Sequence, residues 1–152
     1  MREKLKDIDL AIISWIRRIS LPLARAALFI VFFWFGLLKI IGTSPANPFV
    51  SALLVQMMPF ITFGQFIIGF GIYEMLIGIA FAIPRLERLA IALLVPHMIV
   101  TALPLIILTD ETWNSPFMPT MEGQYIIKNL AIIALAFSVA ANLRPWREIA
   151  KR

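Results

Sequence analysis

A chain of 152 residues that is 61% hydrophobic and only 15% charged, with a mean hydropathy of +0.88, is too apolar for a water-soluble domain of its size, where about half the residues are apolar and about a quarter charged. The formal net charge of +5 does not point to nucleic acid, because the basic residues gather at the ends of apolar blocks, where they orient a membrane protein and meet anionic head groups. With no cysteine and one histidine, His97, the chain by itself excludes disulfides, thiolate metal sites, thiol redox chemistry and a haem held by two histidines.

Residues 1–20 place Leu5, Ile8, Ile12, Ile16 and Ile19 at helical spacing, with Lys6, Asp7, Asp9, Arg17 and Arg18 mostly elsewhere around the helix. That pattern predicts an amphipathic helix on a membrane surface. It is not a cleavable signal, since charges interrupt the apolar residues and no small-residue cleavage site follows. Residues 21–145 form the transmembrane domain, whose first span, 23–41, has Arg25 near its start and Lys39 near its end. Both can snorkel. The turn-rich GTSPANP at 42–48 leads into FVSALLVQMM, apolar but too short to cross ~30 Å of hydrocarbon, so a short interfacial or re-entrant helix is expected there.

The second span, 60–83, carries a single charge, Glu74, and glycines at 64, 69, 71 and 78. A short exposed loop with Arg85, Glu87 and Arg88 precedes the third span, 89–108, which contains Pro96, His97, Thr101 and Pro104. A polar loop follows, then the fourth span, 125–141, and a basic tail, 146–152. Lys and Arg cluster at both termini and in the 84–88 loop, so both ends are expected in the cytoplasm. The expected fold is an all-α four-transmembrane-helix bundle in the cell (inner, cytoplasmic) membrane, with the N-terminal amphipathic helix and the short helix between spans one and two as additions.

Ionisable residues inside a span are costly and normally face protein or water with a partner. Glu74 and His97 each lie about 12 Å from the cytoplasmic boundary at ~1.5 Å of rise per residue, so an antiparallel hairpin brings them to one depth. Glu74 falls on the stripe of Gly64, Gly71 and Gly78, where helices can approach closely. His97, Thr101 and Pro104 share a face, and Pro104 deprives the Val100 carbonyl of its usual donor. Lys128, Ala131, Ala134, Ser138 and Asn142 form a small and polar stripe on the fourth span. All three stripes are expected to point into the bundle. Glu74, His97 and Thr101 then make either a structural hydrogen-bonded contact or a polar site for a quinone head group or protons. A metal is disfavoured, since one histidine and one carboxylate are too few ligands. Toward the outer face, Lys39, Glu122, Gln124 and Lys128 define a second candidate site: either two interfacial anchors, or a cationic cap closed by the loop with Trp113 and Phe117 and held by Glu122. Met57 and Met58 are expected in ordinary packing and lipid contact.

WFGLLK at 34–39, GIYEMLIGI at 71–79, HMIVTALPL at 97–105 and PTMEGQYIIKNLAII at 119–133 resemble, in order and spacing, the DoxX-like family of small four-helix membrane proteins. The resemblance runs from about residue 24 to 144, leaving out the N-terminal extension, and EGQYIIKN is its most specific part. Many relatives carry Gln where this chain has His97. The resemblance implies a membrane subunit or anchor of a quinone-linked redox or oxidative-stress system, non-catalytic by itself, with a quinone as candidate ligand and a redox enzyme or a second copy as partner beside the lipid bilayer. The competing class is a small transporter of protons or a small solute with Glu74 as its carrier group.

Overall fold

The computed structural model describes residues 2–143; the basic tail at 146–152 lies outside them. The architecture is all-α apart from one small hairpin. Four helical stretches are long and apolar enough to cross a membrane: α1 (Arg2–Ile40), α3 (Phe63–Ala82), α4 with α5 (Glu87–Ile107) and α7 (Met121–Ala140). The short α2 (Asn47–Met57) joins the first two and buries Leu54. At 11 residues it extends about 16 Å, too short to span.

The expected boundary between an N-terminal helix and the first span is absent. The α1 helix runs unbroken for 39 residues, about 58 Å. Pro22, inside it, removes only the donor that would have served the Arg18 carbonyl. Residues before Leu21 are exposed almost throughout, with Leu5, Ile8, Ile12, Trp15 and Ile16 all uncovered. Burial begins at Ala24 and continues through Leu28, Phe32, Gly36 and Lys39, a three-to-four-residue stripe facing the bundle.

That stripe meets α3 so closely that glycine is required on both sides. A β-carbon on Gly36 would stand 2.5 Å from the Gly71 carbonyl oxygen, and one on Gly71 2.7 Å from that of Gly36. Gly78 lies equally close to α1, where a β-carbon would be 2.8 Å from the Phe33 nitrogen. By contrast Gly64 and Gly69 face open space. Beside this seam, Leu28, Phe32, Ile77, Phe81, Ala90, Leu94, Ala136 and Val139 form a core to which all four long helices contribute.

Arg25 does not snorkel. Its guanidinium donates to the Phe81 carbonyl at 2.9 Å, the Ala82 carbonyl at 3.2 Å and the Glu87 carboxylate at 2.8 Å, completing the C-terminal end of α3 while binding the start of α4. Glu87 is therefore a partly buried ion-pair partner, not the free loop residue that the sequence suggests.

The third span breaks at Leu103. Leu103 N–H donates to the Ile99 and Val100 carbonyls at 3.2 and 3.3 Å, so the carbonyl that Pro104 leaves unserved is taken by a tightened last turn. Beyond it come α5 (Pro104–Ile107), α6 (Thr109–Thr112) and an antiparallel hairpin of β1 (Trp113–Ser115) with β2 (Met118–Pro119), where a loop is expected from the sequence. The Trp113 indole donates to the Leu105 carbonyl at 3.0 Å, and the buried Gly123 lets α7 start against the Thr112 carbonyl.

The α7 helix presents the opposite face from the one its small residues suggest. Lys128, Ala131, Ala134 and Ser138 are exposed, whereas Ala136 and Val139 are buried and Ile132 and Leu135 pack on the core. The face that reaches the bundle carries Ala136 and Val139, with Ile132 and Leu135 beside them, while Leu130 and Phe137 point outward.

Candidate functional site

The close α1–α3 seam determines how the polar site forms. Lys39 lies three residues after Gly36, and Glu74 three after Gly71. Side chains on a helix lean toward its N-terminus, so with Gly36 opposite Gly71, Lys39 and Glu74 lean toward each other. The Lys39 ammonium donates to Glu74 Oε2 at 2.6 Å. The other carboxylate oxygen, Oε1, lies 3.0 Å from His97 Nε2 on α4. Each oxygen of Glu74 thus has its own partner, from a different helix.

All three groups are removed from solvent, with side-chain exposures of 7% for Lys39, 7% for Glu74 and 4% for His97. A pair at that depth is not a surface salt bridge worth a fraction of a kcal/mol; its charges are held by each other rather than by water. The lysine and the carboxylate sum to zero, the net charge that costs least in an apolar interior.

Aromatic rings enclose the network. Phe70 stacks on the His97 imidazole with centroids 5.2 Å apart and planes within 4°, and its ring also lies 5.4 Å from the Lys39 nitrogen, a cation–π distance. Phe32 meets the imidazole edge-on at 5.3 Å. Tyr73 donates its hydroxyl to the Leu93 carbonyl at 2.6 Å, tying α3 to α4 one turn before His97. The Thr101 hydroxyl donates to the His97 carbonyl at 3.0 Å; it braces the backbone of α4 and does not join the network.

Beside His97 opens a cavity of about 250 Å³. Its walls are Val50, Leu53, Leu54 and Met57 of α2 with Met58, then Phe66, Phe70 and Tyr73 of α3, and Pro96, His97 and Val100 of α4. Met57 and Met58 are thus cavity residues and not merely packing or lipid contacts. The cavity is apolar apart from Tyr73 and His97, and the Tyr73 proton is already committed. His97 Nδ1 is buried and, among the described residues, has no hydrogen-bond partner. The donor set does not suit a divalent metal: both carboxylate oxygens are engaged, and an ammonium lies at 2.6 Å.

The outer cap does not form. Lys39 is committed to Glu74, and the Lys128 ammonium lies 5.1 Å from the Tyr125 ring centroid. Glu122 and Gln124 are exposed, and among the described residues Glu122 pairs with neither lysine. The physical reason is the glycine seam: it draws Lys39 inward to a partner the sequence places 35 residues away. Sequence reasoning assigned Lys39 to the wrong cluster and missed Phe70, Tyr73 and the α2 wall. The matching intervals Gly36–Lys39 and Gly71–Glu74 were a signal for the first; Phe70, one turn before Glu74, was a weaker signal for the second.

Comparison with protein-family models, with curated proteins and with solved structures gave no match for this chain.

Proposed function

We propose that this chain is a four-span membrane protein that holds a lipophilic, quinone-like ring beside a buried Lys39–Glu74–His97 network and serves a redox or oxidative-stress system as a membrane subunit or anchor. Insertion is supported by four helices of sufficient length and hydropathy, and by the large apolar side chains they leave exposed, including Trp34, Phe35, Ile72, Leu76, Val95, Ile99, Leu130 and Phe137. Such a surface suits hydrocarbon, not water. The Lys and Arg distribution favours both termini in the cytoplasm of a cell-membrane protein.

The observation that carries the ligand reading is the apolar cavity of about 250 Å³ that Phe70, Tyr73 and His97 line beside the buried network. Binding sites of this kind are mostly apolar with a few oriented polar groups. A quinone or quinol head group offers a flat, lipophilic ring that suits the aromatic and aliphatic lining. With no cysteine in the chain, electron transfer belongs to a partner. The resemblance of WFGLLK, GIYEMLIGI and EGQYIIKN to DoxX-like proteins favours the same assignment.

The test is gentle purification from native membranes followed by mass spectrometry of the intact protein and of its lipid extract. A co-purifying quinone, with or without a redox enzyme, is the expected result. Quinone-free protein that drives proton or solute flux in proteoliposomes would move the assignment to the transporter class. That class is less favoured because Glu74, its carrier group, would have to release both Lys39 and His97. A reporter fused after Arg152 should be active only on the cytoplasmic side; activity on the other side would overturn the topology.

A further inference from the structure

We infer that residues 2–20 of α1 pair with the same segment of a second copy of this chain, as a short parallel coiled coil standing on the cytoplasmic side of the membrane. This rests on the four-span reading of the bundle and not on the identity of any ligand.

Arg25 marks where α1 leaves the bundle, since it holds the Phe81 and Ala82 carbonyls and Glu87. Before it, residues 2–20 carry the helix about 28 Å farther. A helix resting on the bilayer would have to break from the span it precedes, and this one is continuous through Pro22. At 100° per residue, Leu5, Ile8, Ile12, Trp15, Ile16 and Ile19 fall within one arc of about 100°, and no charged residue of the segment lies inside it. Leu5, Ile8, Ile12 and Trp15 are each at least 50% exposed. The buried stripe from Ala24 to Lys39 runs along roughly the opposite side of the same helix, so the chain's own bundle does not cover the arc. In water such a face calls for a partner.

The spacing points to a second copy. Leu5, Ile12 and Ile19 recur every seven residues, and Ile8 and Trp15 follow the first two by three, the a and d positions of a coiled coil. Copies inserted in one orientation meet in parallel, and there a g residue faces the e residue of the next heptad in the other helix. Lys4 is at g and Asp9 at e, so a two-fold axis forms that opposite-charge pair twice. The next such pairs, Ala11 with Ile16 and Arg18 with Leu23, bring no like charges together. A helix this short is marginal in free solution. Here each one continues into an anchored span, which confines the copies to one plane and raises their effective concentration.

The chain has no cysteine, so a single one can be introduced into the full-length protein and oxidised in isolated membranes with copper phenanthroline. Ile8→Cys should cross-link into a dimer about tenfold faster than Leu10→Cys, which lies outside the arc, because a disulfide needs its two β-carbons close together. In the Ile8→Cys background, Lys4→Glu and Asp9→Lys each set like charges opposite one another and should slow cross-linking about fivefold. Co-expressed with tags of different mass, these two variants should recover the original rate in the mixed dimer, where both pairs are again of opposite sign. Equal cross-linking of Ile8→Cys and Leu10→Cys, or charge reversals that change nothing, would overturn the pairing and leave the face to the lipid surface or to another protein. All variants should stay in the membrane through an alkaline carbonate wash. Released chain would sink the four-span reading and the inference with it, whereas retained chain that fails to cross-link sinks the dimer alone.

Discussion

Removing the lysine of the buried network gives the most direct test of how the bundle is held. In Lys39→Met the apolar stem is replaced at similar volume, but Glu74 Oε2 loses the ammonium at 2.6 Å and keeps only His97 on its other oxygen. Breaking one side of a buried ion pair leaves a desolvated charge and costs about 3–5 kcal/mol, a large share of the ~5–15 kcal/mol that stabilises a typical domain. Glu74→Gln leaves Lys39 unpaired and should cost a similar amount. The double variant removes both charges, leaving an amide that can still meet His97, and should recover most of the loss, since well-packed neutral replacements of buried pairs are often nearly neutral. The four tryptophans report unfolding by fluorescence in mixed micelles titrated with a denaturing detergent. A double-mutant cycle should give a coupling of about 2 kcal/mol or more. Additivity within about 0.5 kcal/mol would show that the pair does not exist in the folded protein and would refute the electrostatic account of the site.

Gly71→Ala should destabilise by about 1–3 kcal/mol, the range for overpacking, because its β-carbon would press on backbone at 2.7 Å, whereas Gly64→Ala, which meets nothing within 4 Å, should be neutral or slightly stabilising in the same unfolding assay. Arg25→Met should cost about 1–3 kcal/mol, since it removes donors to two carbonyls and to Glu87; Glu87→Leu should cost less, because the carbonyl bonds survive, and a larger loss for Glu87 than for Arg25 would show that the ion pair rather than the helix end is what matters.

Legibility of the site tracked the sequence distance over which each contact acts. The 3.6-residue pattern places Glu74 on the glycine face of its helix, and shared depth in an antiparallel hairpin places His97 near it; the structure sets them 3.0 Å apart. Lys39 was misplaced because a lysine at a helix end most often snorkels, and only the partner helix tells whether it has a better option. The α7 stripe was misread for a related reason. Small residues mark close approach only where another helix arrives, and here the face with Ala136 and Val139 took the core side.

Composition and periodicity alone determined that the chain is predominantly helical and apolar enough for four spans, because those properties are summed over twenty-residue windows and survive local error. They also located the charged residues that needed partners. Which partner each one took was decided only in three dimensions. Close approach at Gly36 and Gly71 brought Lys39 to Glu74, the break at Leu103 freed the chain to build a hairpin, and α2 supplied the wall that turns a buried polar network into one side of a cavity. Each depends on contacts between segments tens of residues apart, whose geometry no local pattern encodes.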